Sequence, residues 1–173
     1  ATNMIEAGAQ GSFEDLVGTM GVNDKGALEI CSDQPLEVVS RTFNESDEGT
    51  FGQFLDGTDR GGLEAGMTGR LIGLRQMDGV FRTNLSVTNA STGDAEVEIT
   101  LYGADGTELT SYTMMVPSGM VVQDIEPFVG RAGAADLGWG FATVEVLSGE
   151  GILASASVID SRTNDATTVP LKK

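Results

Sequence analysis

The sequence predicts an all-β chain of two antiparallel β-sandwich units, the first lacking its opening strands. Three observations carry that prediction. Apolar residues alternate with period two, turn signals recur at intervals of about 8–12 residues, and one stretch of the chain repeats another in shortened form.

The alternation is clearest in "AEVEITLYG" (95–103). Val97, Ile99 and Leu101 share one face, and Glu96, Glu98, Thr100 and Tyr102 share the other. A strand patterned in this way sets one face on a core and the other in water. "FRTNLSVTN" (81–89) turns Phe81, Thr83, Leu85 and Val87 inward. "ATVEVLS" (142–148) does so with Ala142, Val144 and Val146, and "ILASASVID" (152–160) with Ile152, Ala154, Ala156 and Val158. "RLIGLRQ" (70–76) is a candidate first strand of the second unit.

Between these runs lie turns. Asp105-Gly106 is a strong hairpin signal, because both residues tolerate positive φ. "NASTGDA" (89–95) and "SGEG" (148–151) are further turns. Helical periodicity is absent over three turns, and "FEDLVGTM" (13–20) offers at most a single turn. About eleven strands or more are expected in all.

The repeat sets "MIEAGAQGSFEDLVG" (4–18) beside "MVPSGMVVQDIEPFVG" (115–130). Met4 matches Met115, Ile5 matches Val116 and Gly8 matches Gly119; after one insertion, Leu16-Val17-Gly18 matches Phe128-Val129-Gly130. "LEICSDQPL" (28–36) then matches "VEVLSGEGI" (144–152), with Glu29 on Glu145, Ser32 on Ser148 and Leu36 on Ile152. A further shift puts Ser40 on Ser157, Glu48 on Asp165 and Thr50 on Thr167. The two Ser-Arg-Thr triplets at 40–42 and 161–163 fall out of this register, so their echo is partly accidental.

Residues about 80–112 give the second copy two strands that have no counterpart before Met4. The expected organisation is a partial unit over 1–56 holding roughly five strands, a Gly-rich linker over 57–69 and a complete unit over 70–173. A sheet without its opening strands exposes backbone polar groups and apolar core. Strands from a neighbouring copy, from an upstream segment of a larger polypeptide, or from an internal strand folding back would each cover it.

The order "GALEI…SDQPLEVVSRTFN…GTFGQFL", "RLIGLRQ…FRTNLSVTNAS", "VEITLYGADGTEL", "VPSGMVVQDIEPF" and "ASASVIDSRTNDATTVP" resembles tandem Ig-like β-sandwich repeats of bacterial secreted and surface proteins. The resemblance implies two Ig-like units, an extracellular or cell-surface location and no catalytic motif. A truncated first unit departs from a tandem of whole modules.

Composition narrows the chemistry. The 173 residues carry 26 acidic and 10 basic side chains, a formal charge of −16. That charge repels phosphate backbones and anionic membrane surfaces, so nucleic acid is not an expected partner. No apolar run approaches the ~18 residues of a membrane span. "ATNMIEAGAQ" shows no signal-peptide pattern, which fits a mature, processed or excised chain. Histidine is absent, which removes His-based triads and His metal sites. An enzyme is therefore not expected. Cys31, the single cysteine, sits in a strand-like run and is expected as a small buried residue.

Two groups of candidate site residues remain. Acidic loops hold Asp47, Glu48, Asp56 and Asp59, oxygen donors of the type calcium takes, though without a twelve-residue EF loop. Solvated loop acids explain them equally, and no other cofactor is indicated. "RAGAADLGWGF" (131–141) carries the only Trp, Trp139, together with Phe141. These aromatics either plug the end of the sandwich or anchor a carbohydrate or protein ligand. Asn44, Asn84 and Asn89 each open an N-x-S triplet and are expected in turn and strand-end roles.

Two functions follow as expectations. One is a non-enzymatic structural or assembly module of an exported protein, joined by β-strand addition, with filament or surface-layer assembly as one form. The other is an extracellular binding module for carbohydrate or protein, assisted by calcium.

Overall fold

The computed structural model of the chain describes residues 4–21, 26–47, 49–58 and 61–173. Their secondary structure is all-β and antiparallel: ten strands, with two helices of a single turn each. Eight strands build one continuous sheet. They are β3 (Thr68–Met77), β4 (Phe81–Asn89), β5 (Ala95–Gly103), β6 (Glu108–Val116), β7 (Val121–Ile125), β8 (Asp136–Ser148), β9 (Ile152–Asp160) and β10 (Ala166–Pro170). The hydrogen-bonded order is β10-β9-β4-β3-β8-β5-β6, with β7 also on β4.

The sheet doubles over at one corner. β4 pairs with β9 from Phe81 to Asn89 and with β7 from Asn84 to Thr88, so both its edges are taken. β3 meets it only at Met77↔Phe81. The result is sandwich-like, with β3, β8, β5 and β6 in one layer and β10, β9, β4 and β7 in the other. Their inner faces share one apolar core. Leu71 and Leu74, then Val97, Ile99 and Leu101, then Ala142, Val144 and Val146 meet Leu85, Val87, Ile152, Ala156 and Val158 there. The faces expected from period two are the faces buried on β4, β5, β8 and β9, apart from Phe81 on β4 and Ala154 on β9, which are half-buried. Burial of this kind stabilises by roughly 1.5–3 kcal/mol per large aliphatic side chain.

Turn chemistry closes the β5–β6 hairpin as expected. Gly106 takes φ +86°, and the Asp105 carboxylate accepts from the Thr107 N–H at 3.0 Å. That bond holds the Asp105 carboxyl below the usual carboxylate range. Its contribution is present above the ordinary Asp pKa and lost as pH falls.

The connector before β3 is more than a spacer. Leu63 is buried in the core, and its N–H and C=O pair with Ile152 at 2.7 and 3.0 Å. Gly62 makes that approach possible, since a Cβ there would lie 2.3 Å from the Ile152 carbonyl oxygen.

Residues 4–57 depart from expectation. They hold two strands among the described residues rather than about five: β1 (Val39–Ser46) and β2 (Gly49–Asp56) form one hairpin. The strand total among the described residues is accordingly ten, not eleven or more. Helix α1 (Leu16–Thr19) is the single turn expected within 13–20. Residues 26–38 make no ladder pairing. Cys31 lies in that stretch and is exposed, which corrects the expectation of a buried thiol. Its strand-like sequence has no neighbouring strand to be buried against.

Candidate interaction surfaces

The aromatic pair of 131–141 is not on a loop tip. β8 begins at Asp136, so Trp139 and Phe141 are strand residues on the outer face, with Gly140 turned inward between them. A Cβ on Gly140 would meet the Tyr102 carbonyl oxygen at 2.6 Å, so only glycine lets the strand settle there. Neither aromatic plugs the sandwich. Phe128, from helix α2 (Pro127–Gly130), does that and is fully buried.

Trp139 is 56% exposed. The Arg75 guanidinium lies over its ring at 4.7 Å and over Phe81 at 3.8 Å. Arg75 also donates through Nε to the Gly138 carbonyl at 3.2 Å. Phe141 is half-buried and stacks on Tyr102, with centroids 4.6 Å apart and planes 8° from parallel. Ile72, opposite Phe141 in the β3–β8 register, extends this row and is exposed. The strip is apolar with one cation, and aromatic contacts of this type stabilise by about 0.5–1.5 kcal/mol each.

The acidic candidates do not assemble. Glu48 and Asp59 lie outside the described residues. Asp47 is in the β1–β2 turn, and Asp56 ends β2. Seven residue steps at about 3.3 Å each put the two ends of β2 more than 20 Å apart, so Asp47 and Asp56 cannot share an ion. Among the described residues no group of three or more Asp, Glu or Cys is placed to hold a metal.

The N-x-S asparagines are structural where the fold engages them. Asn89 is buried and donates to the Gly93 and Val116 carbonyls at 2.8 and 2.9 Å, while its Oδ1 accepts from Ser91. Asn84 accepts from the Glu126 N–H at 3.2 Å. Asn44 is exposed on β1.

The second surface is the apolar side of residues 4–57, the stretch whose sequence aligns with 115–167. Local structure recurs at matching places in the two copies. The Ala9 N–H bonds to the Glu6 carbonyl around Gly8 at φ +76°, as the Met120 N–H bonds to the Pro117 carbonyl around Gly119 at φ +68°. α1 follows a left-handed Asp15 and leads to Gly21 at φ +69°; α2 follows a left-handed Glu126 and leads to Gly133 at φ +65°.

Burial does not recur. Leu28, Ile30 and Leu36 are 50%, 49% and 46% exposed, whereas Val144, Val146 and Ile152, their counterparts, are at 0%. Leu28, Ile30, Leu36, Val38 and Val39 line an open groove of about 430 Å³. The β1–β2 hairpin is held to the sandwich by polar contacts. Gln53 and Ser157 exchange bonds at 2.8 and 2.9 Å, and the Thr168 hydroxyl donates to the Phe54 carbonyl. Its apolar residues Val39, Phe43 and Phe54 stay exposed.

Sequence reasoning missed Arg75. The available signal was Gly73, a glycine inside a strand pattern, which marks a bulge. Gly73 takes φ +90°, and the β3–β8 register shifts on both sides of Leu74.

No family model matches the chain, and no curated protein does. Among solved structures the chain is similar to Thermotoga maritima 1070, at 12% identity and TM-score 0.47, covering 64% of this chain and 96% of that one. It is also similar to the Anabaena sensory rhodopsin transducer, at 18% identity and TM-score 0.42, covering 54% and 98%.

Proposed function

We propose that the chain is a non-catalytic structural module of an exported protein, built as two Ig-like β-sandwich units of which the first is completed by β-strand addition. The observation that carries this reading is the contrast between the copies. The same positions that form a dry core in 115–170 are half-exposed in 4–57. A half-exposed apolar set of that size on a strand-patterned segment is an unpaid hydrophobic surface, and added strands satisfy both its side chains and its backbone.

The test is amide hydrogen exchange on residues 26–57 of the isolated chain, across a dilution series. Low protection supports an open unit, and so does protection that fades on dilution. Strong protection in a verified monomer overturns the reading, because the segment would then close on itself.

A second reading rests on the exposed Trp139 beside Arg75 and the Phe141–Tyr102 stack. On this reading the outer face of β3, β8 and β5 binds a carbohydrate or a protein. Its calcium-assisted form loses the pair Asp47 and Asp56, which stand at opposite ends of β2. A glycan array probed with the chain and with Trp139→Ala checks it. Equal signal from both proteins counts against it.

A further inference from the structure

Resting on that reading of 4–57 as an open half-sandwich, we infer that its partner is a segment of the β3–β6 type preceding it in the same polypeptide, and not a second copy of this chain. The ratio of half-units in the chain decides between these partners. A complete unit here consists of a front half, β3 to β6, and a back half running from β7 through α2 to β10. The chain holds one front half and two back halves, since 4–57 repeats 115–167.

Exchange among identical copies preserves that ratio. If the front half of one chain completes the 4–57 segment of another, it abandons Val144, Val146 and Ile152 of its own unit. One back half per chain stays open in any ring or fibre made this way. Moving the front half gains nothing, because the apolar surface it covers equals the surface it leaves. Only a front half from outside this sequence closes the account of strands. A covalently preceding one also has the advantage of high effective concentration.

The complete unit gives the pairing in detail. β8 lies between β3 and β5, with Val144 opposite Gly69 and Ile99, and Val146 opposite Val97. By the repeat, Leu28 and Ile30 replace Val144 and Val146. The partner therefore presents a branched aliphatic to each across the β5-like ladder, and a glycine-containing strand on the other side of Leu28. Its period-two pattern is that of "AEVEITL", and its turn is of the Asp-Gly type.

The experiment extends the chain at its N-terminus with a second copy of residues 61–111. This keeps the spacing, so that Met4 stands where Met115 stands after the natural front half. Exchange at 26–57 is compared in the extended and unextended chains. The expected result is slowing by about 100-fold or more at Leu28, Ile30 and Leu36, since these amides would join a cooperative core. An extension carrying Val97→Asp and Ile99→Asp in the added copy is expected to give no slowing.

Equal exchange in the extended and unextended chains overturns the inference, as does slowing by the doubly substituted extension. Concentration-dependent oligomers of the unextended chain, with protected 26–57, overturn it in favour of a second copy while sparing the half-sandwich reading. Protection already present in the unextended monomer instead removes the half-sandwich reading itself, so the two failures are distinguishable.

Discussion

Ile99→Ala and Ile30→Ala make the same chemical deletion in two environments. Ile99 is fully buried at the centre of β5, opposite Val144 on one side and Tyr112 on the other. Three carbons lost at about 0.8 kcal/mol each give about 2.4 kcal/mol. A residual cavity of about 50 Å³ adds about 1.2 kcal/mol, for a total near 3.6 kcal/mol. Ile30 is 49% exposed on a segment without ladder pairing. At most half the transfer term is at stake there, and it is lost locally. The unfolding free energy of the sandwich should move by less than about 0.5 kcal/mol. Urea unfolding followed by far-UV circular dichroism measures both, with the slope checked for constancy. A cost below about 0.5 kcal/mol for Ile99→Ala would show that the faces are reversed. A cost for Ile30→Ala as large as that for Ile99→Ala would show that residues 26–38 already belong to a closed core.

Three further outcomes are expected. Gly62→Ala should destabilise by about 1–3 kcal/mol in the same assay, as an overpacked site, because its Cβ would strike the Ile152 backbone; a neutral result would detach the connector from the sandwich. Burial first, and the nearby Asp124 second, push the Tyr112 hydroxyl above the tyrosine range. Its folded pKa is raised, so its contribution is intact below about pH 10 and is lost above it; Tyr112→Phe should flatten the alkaline side of a stability–pH profile, and an unchanged profile would refute the assignment. Trp139→Ala should abolish the tryptophan fluorescence and cost less than about 1.5 kcal/mol, the scale of its aromatic contacts; a core-sized loss would mean that the ring is buried after all.

What was legible in the sequence follows the range of the interaction concerned. Val97, Ile99, Leu101, Val144 and Val146 announce their face because alternation is a property of one strand, needing no knowledge of its neighbours. The Asp105-Gly106 turn is readable for the same reason. The placement of Trp139 is not. Its surroundings are set by Arg75, which lies over its ring from β3 after a bulge at Gly73, while Phe128 from α2 takes the plugging role. Those are contacts between strands whose register no local pattern specifies. Cys31 failed on the same ground, since a strand-like run is buried only where partner strands exist.

The two aligned stretches, 4–57 and 115–167, separate these ranges within one molecule. Gly8 and Gly119, and Gly21 and Gly133, adopt the same left-handed backbone in both copies. The positive φ needs only the absence of a Cβ and a bond within a few residues, so it forms wherever the sequence recurs. Burial of Leu28 and Ile30 needs strands on either side, and the residues that supply them to Val144 and Val146 lie in β3 and β5, far away in sequence. Among the described residues, 4–38 make the local turn contacts and not the distant ladder contacts. Residues 4–57 therefore form turns, a single helical turn and one hairpin, the elements whose hydrogen bonds close over short loops at low entropic cost. The central-strand sequence stays unpaired. On the proposed reading of 4–57 as an open half-sandwich, supplying a front half should convert the exposed alternation of 28–36 into a second core.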